Sequence, residues 1–238
     1  MTRSGPEVFT FHLVESPAPT TTSLLFRPPS PADVGGLRYA ECLALMRLGA
    51  PVVSPDRLQL RRLAMFARWD SESAIDDFLG GGTVGRRFAS GWHVRMTFLR
   101  RWSEVAALPG LPARAGEWDD AEPAVAVTLA RMRLPEVPRF LQWGRPVERL
   151  VRDHPGATLA CAAMRPPNTI STFSVWNSVR AMTDMVHGHA DVPDPARHAA
   201  AMAERRRRDF HHEFATYRFR PIAEHGSWNG RSAFIPGG

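Results

Sequence analysis

The stretch FARWDSESAIDDFLGG at residues 66–81 returns as FSVWNSVRAMTDMVHG at residues 173–188, an offset of 107 residues. Phe66/Phe173, Trp69/Trp176, Ser71/Ser178, Ala74/Ala181, Asp77/Asp184 and Gly81/Gly188 are identical, while Gly80 gives way to His187. The chain therefore builds one piece of local structure twice. Each copy opens on a short apolar run that ends on tryptophan, LAMFARW or ISTFSVW. Both runs are rich in aromatic or β-branched residues and bounded by polar signals, the signature of a strand. Asp70 and Asn177 follow and suit the N-cap position. Ala74, Ile75 and Phe78, like Ala181, Met182 and Met185, then recur at helical spacing. Each copy reads as a strand running straight into a helix, with the tryptophan packed at the corner.

The pattern extends outward. Before the second copy lie a strand (AVAVTLARMR), a helix ended by Pro155-Gly156 and a second strand (ATLACAAMRP). After it come a helix over 194–214, with Asp194 as cap and Pro195 in the first turn, and a closing strand ATYRFRPIA. That order is β-α-β-β-α-β, the ferredoxin-like unit. The first half repeats it more loosely, because the proline-rich residues 16–36 hide its first helix. The turn-rich connection LPGLPARAGEWDDAEP divides the chain into halves 1–118 and 119–238. The expected fold class is α+β, two duplicated βαββαβ units.

Several function classes drop out. No P-loop, GxGxxG after a strand, GxSxG or HExxH is present. The net charge is +6 and every basic side chain is arginine. The one run, Arg205 to Arg208, falls in a helical segment and reads as a solvated face rather than a phosphate patch, so no nucleic-acid partner is expected. No apolar run reaches the roughly 20 residues of a membrane span, and no secretory signal opens the chain. Cys42 and Cys161, in apolar surroundings without metal-ligand spacing, read as small core residues of a cytoplasmic protein.

Histidine remains. Five of the nine, His187, His189, His198, His211 and His212, fall within 26 residues. A zinc site needs three or four ligands at fixed offsets, and HGH with one distant histidine is unspecific. A haem site needs a single axial imidazole over an apolar pocket. Ala199, Ala203, Phe210 and Phe214 read as the apolar stripe of the 194–214 helix, with His198 on its flank near Met202, Arg205 and Asp209.

The sequence resembles the spheroidene monooxygenase family over about residues 36–231. The resemblance is carried by GLRYAECLALMRLGAP, LAMFARWDSESAIDDF, FSVWNSVRAMTDMVHG, His198 before an alanine-rich segment, and RRDFHHEFATYRFRPIAEHGSWNG. It implies the dimeric α/β-barrel type of fold, a homodimer, a haem-bearing pocket and oxygenation of an apolar small molecule. It implies His198 as the iron ligand, with Met202, Phe173 and Trp176 against the cofactor. Arg180, Arg205 and Arg218 are then candidates for positioning propionates or polarising bound oxygen. The repeat's odd residue, His187, is the alternative ligand. Other readings stay open: a non-catalytic haem or small-molecule binder, a haem enzyme of dehydration or nitrogen-group chemistry, or a cofactor-free enzyme of the same fold.

Overall fold

The computed structural model describes residues 7–50 and 57–237. Its elements are β1 (Val8–Glu15), α1 (Ala18–Phe26), β2 (Leu37–Met46), β3 (Leu58–Trp69), α2 (Glu72–Gly80), α3 (Thr83–Ala89) and β4 (Trp92–Trp102). They continue with β5 (Ala124–Met132), α4 (Val137–Asp153), β6 (Ala157–Arg165), β7 (Thr169–Trp176), α5 (Val179–His187), α6 (Arg197–Arg207) and β8 (His211–His225). The fold is mixed, helices against antiparallel strands, and it divides into two compact units.

Unit one gathers residues up to Leu45, Gln59–Phe98 and Phe219 onward. In it β1 pairs antiparallel with β3 on one side and β4 on the other, giving the strand order β4-β1-β3-β2. Glu224 ties down the chain after β8, accepting the Trp92 indole N–H at 2.7 Å and the amides of Phe234 and Ile235 at 2.9 and 2.8 Å. Unit two, Met46–Leu58 and Leu99–Arg218, has the order β8-β5-β7-β6, with β7 antiparallel to both β5 and β6. The sequence of elements is β-α-β-β-α-α-β in β1 to β4 and again in β5 to β8.

The repeated segments are β3–α2 and β7–α5. Their tryptophans are fully buried, and each indole N–H finds a hydroxyl: Trp69 donates to Thr10 at 2.9 Å, Trp176 to Ser174 at 2.8 Å. The caps fall one residue later than Asp70 and Asn177. Ser71 and Ser178 are extended, and their Oγ atoms accept the amides of Ala74 and Ala181 at 3.2 and 3.1 Å. Asp70 and Asn177 still donate their own amides to Gly36 and Gly156 carbonyls, at 2.8 and 2.9 Å. The chain is thus held extended through those two positions, and the first residue free to turn is the serine.

Two further expectations shift. The helix concealed by prolines is α1, with Pro19 in its first turn, where a missing N–H costs nothing, and with Thr21, Leu24 and Leu25 buried. The helix expected over 194–214 is shorter, running Arg197–Arg207. Asp194 lies before it with φ 55° and pairs with Arg197, while Ala196 occupies the cap. Arg208 swings to an extended φ of −153° and Phe210 accepts the Arg133 amide at 2.9 Å, so β8 begins at His211. Phe210, Phe214, His211 and His212 therefore lie beyond the helix, and Ala201 rather than Ala203 is its buried alanine.

Each serine cap satisfies one otherwise orphaned amide. Ser71→Ala and Ser178→Ala should each lower unfolding free energy by about 1 kcal/mol, read by urea titration, with Asp70→Ala and Asn177→Ala affecting the caps less.

Candidate functional site

The strand registers align the two units position by position. Val8, Thr10, His12 and Val14 on β1 face Trp69, Ala67, Met65 and Leu63 on β3. At the same places in unit two, Ala124, Ala126, Thr128 and Ala130 on β5 face Trp176, Ser174, Thr172 and Ile170 on β7. These residues share the sheet face that the helices cover, since Trp69 packs on Phe78 of α2 and Trp176 on Leu150, Val179 and Met182 of α4 and α5. In unit one the layer is filled, with every one of the eight at most 4% exposed. In unit two threonine stands where unit one has histidine and methionine, and alanine stands where it has three larger residues. Thr172, in the middle of a strand with neighbours on both sides, is exposed; Ala126, Thr128, Ile170 and Ser174 are half-buried. A close-packed interior leaves few voids, and here the helices leave the middle of the sheet face uncovered where in unit one they close it. That face continues on β6 with Ala160 and Ala162, opposite Ser174 and Thr172. Thr128 and Thr216 share a hydroxyl hydrogen bond at 3.2 Å.

What fills unit one is partly histidine. His12 and His93 stack across β1 and β4 with ring centroids 4.8 Å apart, and His93 stacks on His225 at 4.8 Å. Phe88 of α3 meets His12 edge-on. Neither ring nitrogen of His12 or His93 has a protein partner. Burial is the main cause holding His12 well below the ordinary imidazole range, helped by His93 and Arg95. His93 is lowered to about 4 by burial, then by His225 and Arg95, against a pull upward from Asp76. This row spans three strands far apart in sequence and leaves no motif.

The residues expected at a site disperse. His198 is half-buried on α6, and its Nδ1 lies 3.1 Å from the Val186 carbonyl oxygen of α5. Burial lowers its pKa, and His187 adds to that, while the Val186 contact opposes it. Met202 is half-buried one turn further along. His187 is exposed at the end of α5, 5.9 Å from the His189 ring. The helix closes there on Gly188 in the left-handed region, φ 79°. Trp176 belongs to the packed corner, and Phe173, buried on the opposite parity of β7, faces away from the helices. Arg180 is exposed, its amide bound to the Asp120 carbonyl. Arg205 pairs with Asp209 and lies 3.8 Å over the Phe214 ring. No group of three or more histidine, cysteine, aspartate or glutamate residues could hold a metal ion among the described residues.

Arg218 differs from the others. It is 6% exposed and lies between two indoles, 5.2 Å from Trp102 and 5.1 Å from Trp118. Arg100 covers Trp102 and Arg114 covers Trp118, at 4.5 and 4.3 Å, making an alternating ladder of three cations and two rings. Burial lowers the Arg218 guanidinium to about 10, with Arg100 adding and Asp120 opposing.

No family model and no curated protein matches the sequence. Among solved structures, an aldoxime dehydratase in complex with butyraldoxime is similar at 10% identity and TM-score 0.47, over 91% of this chain and 79% of that one. A monooxygenase-like protein from Listeria innocua shares 11% identity at TM-score 0.29 (91% and 96% covered). A heme-degrading enzyme from Listeria monocytogenes shares 12% at TM-score 0.29 (87% and 97% covered). Likenesses this distant decide nothing about this chain, whose reading rests on its own residues.

The histidine row predicts an acid response. His12 and His93 are neutral in the fold but take protons near the ordinary value of 6.5 once unfolded. The His93 contribution is complete above about pH 6.5 and is lost as pH falls through about 4, and His12 acts in the same direction. Urea midpoints measured across that window should fall steeply in the native protein and less steeply in His93→Gln.

Proposed function

We propose that the cleft of unit two holds a haem ligated by His198, and that the chain is a haem-dependent oxygenase acting on an apolar small molecule. The observation that carries this reading is the emptied layer. A flat macrocycle needs a floor of short side chains, and Ala126, Thr128, Ala160, Ala162, Thr172 and Ser174 supply one where unit one has His12 and Met65.

His198 fits the ligand's part. With its Nδ1–H donated to Val186, the Nε2 lone pair is left for a metal, and the carbonyl fixes tautomer and ring orientation. Burial keeps the imidazole neutral at pH 7, the form that ligates. His187 lacks that burial, standing exposed at the C-terminal end of α5. Met202, on the same face one turn on, is a polarisable apolar neighbour for the macrocycle. Haem bound there would supply the capacity to activate oxygen, and the chain's part is to hold it, present an apolar wall to the substrate and limit water. In this reading Arg205, tied to Asp209 and Phe214, holds the end of α6 in place. The reading also includes a homodimer and an origin of the two units by duplication of a ferredoxin-like βαββαβ unit.

Added haem should give a stoichiometric Soret band in the native protein and in His187→Ala, and none in His198→Ala of unchanged circular dichroism. Full haem content in His198→Ala would move the ligand elsewhere. Thr172→Met gives β7 the residue that β3 carries at the same place. It should block haem uptake while leaving thermal stability equal or higher. Sedimentation at micromolar concentration should give twice the 26.5 kDa chain mass.

A further inference from the structure

Arg95 in unit one and Arg218 in unit two occupy the same place in their sheets. His93 faces His12 across the β1–β4 pair, and Arg95 follows two residues on, opposite Thr10. Thr216 shares a hydroxyl hydrogen bond with Thr128, the counterpart of His12, and Arg218 follows two residues on. Both arginines reach the helix above. Arg95 meets Glu72 and Asp76 of α2 in two ion pairs. At the repeat's offset of 107 residues, those two acids become Val179 and Thr183 of α5. Arg218 duly reaches Thr183, but only a hydroxyl at 3.5 Å answers it.

The cation has been kept and both its anions removed. Arg218 is 94% buried by its 6% exposure, its Nε has no partner, and no carboxylate pairs with it among the described residues. The neighbouring cations add to this, since Arg100 and Arg114 bring charge of the same sign to the same two rings and Arg100 further lowers the guanidinium. Asp120 offsets part of that charge and the two indoles part of the desolvation, but a buried guanidinium that no carboxylate pairs directly is still unfavourable. Its retention beside a cleft, in the unit whose packing layer has been emptied, calls for an anion that comes and goes. The planar fork of a guanidinium is matched by a carboxylate.

We infer that Arg218 is the carboxylate-binding point of the unit-two cleft, where a ligand's carboxylate takes the place that Glu72 and Asp76 hold in unit one. The inference rests on the cleft being a ligand site, and the carboxylate has two possible carriers: a propionate of the porphyrin, or an acid group on an otherwise apolar substrate. Thr183 then sets specificity by leaving room for the incoming oxygens, while Val179, packed in the corner beside Trp176, brings no competing carboxylate.

The test uses the full chain purified without haem, as the native protein, Arg218→Gln and Thr183→Asp. The last restores the acid that unit one carries, so it supplies an internal substitute for the ligand's carboxylate. Tryptophan quenching would measure binding of protoporphyrin IX and of its dimethyl ester, and thermal melts would compare 2-naphthoate with neutral 2-naphthalenemethanol. The native protein should prefer at least one acid over its uncharged partner by ten-fold or more. That preference should vanish in both variants, and Thr183→Asp should melt higher than native without ligand. A preference confined to the porphyrin pair identifies the propionate as carrier; one confined to the naphthyl pair identifies the substrate. Equal binding within both pairs, or a preference that survives in both variants, overturns the inference. If neither porphyrin binds, the haem reading fails, and the naphthyl pair decides Arg218 alone.

Discussion

Everything distinctive about this protein turns on how the space between a sheet and its helices is filled. In unit one the layer is occupied by His12, Met65, Leu63 and Val14, all fully or almost fully buried. In unit two Thr128, Thr172, Ile170 and Ala130 stand at the same register positions and do not close the gap. A layer of this kind ordinarily contributes through packing at crystal-like density, and each missing methylene forfeits contacts. Unit two forgoes that contribution over the centre of its sheet and keeps it at the end where Trp176, Val179, Met182 and Met185 cluster with Leu150. The emptied part and the packed part lie on the same strands, two to four residues apart. A packed corner therefore borders the uncovered part of the sheet.

The electrostatics follow the same division. In unit one Arg95 is matched by Glu72 and Asp76, and the imidazoles beside it remain neutral because burial and that neighbouring charge both oppose protonation. In unit two the carboxylates have been placed elsewhere. Glu136 and Glu204 gather Arg139, Arg207 and Arg208 into a network at the junction of α4 and α6. Both acids are held below the ordinary range, Glu136 chiefly by the bond from Arg139 and Glu204 chiefly by that from Arg207. That network anchors the helix that carries His198. It also accounts for much of the run Arg205 to Arg208, whose side chains are matched by acids rather than left for phosphates.

Much of the architecture was legible in the sequence. The sixteen-residue repeat identified two strand–helix corners, and the tryptophans at 69 and 176 pack at equivalent places. The cap position was missed by one residue because Asp and Ser are both good caps, and only the strand hydrogen bonds of Asp70 and Asn177 choose between them. The end of α6 was missed because Phe210 and Phe214 satisfy a helical period of four and a strand period of two alike. The backbone contact between Phe210 and Arg133, a long-range pairing, decided for the strand. His198 was legible as a candidate, but the Val186 carbonyl that orients it was not, since it depends on how α5 and α6 meet.

By itself the sequence determined the repeated segment, the β-α-β-β order and the corners where each strand turns into its helix, because those depend on local periodicity and on capping chemistry. Only the tertiary structure decided which residues of the two copies stand at the same place in the packing layer. Register sets that, and a register is a contact between strands dozens of residues apart. With the register known, His12 against Thr128, Met65 against Thr172 and the two acids on Arg95 against the single hydroxyl on Arg218 become comparisons of like with like. Read along the chain they are unrelated substitutions. Read across the sheets they are one difference, less volume and less counter-charge in a single layer of unit two.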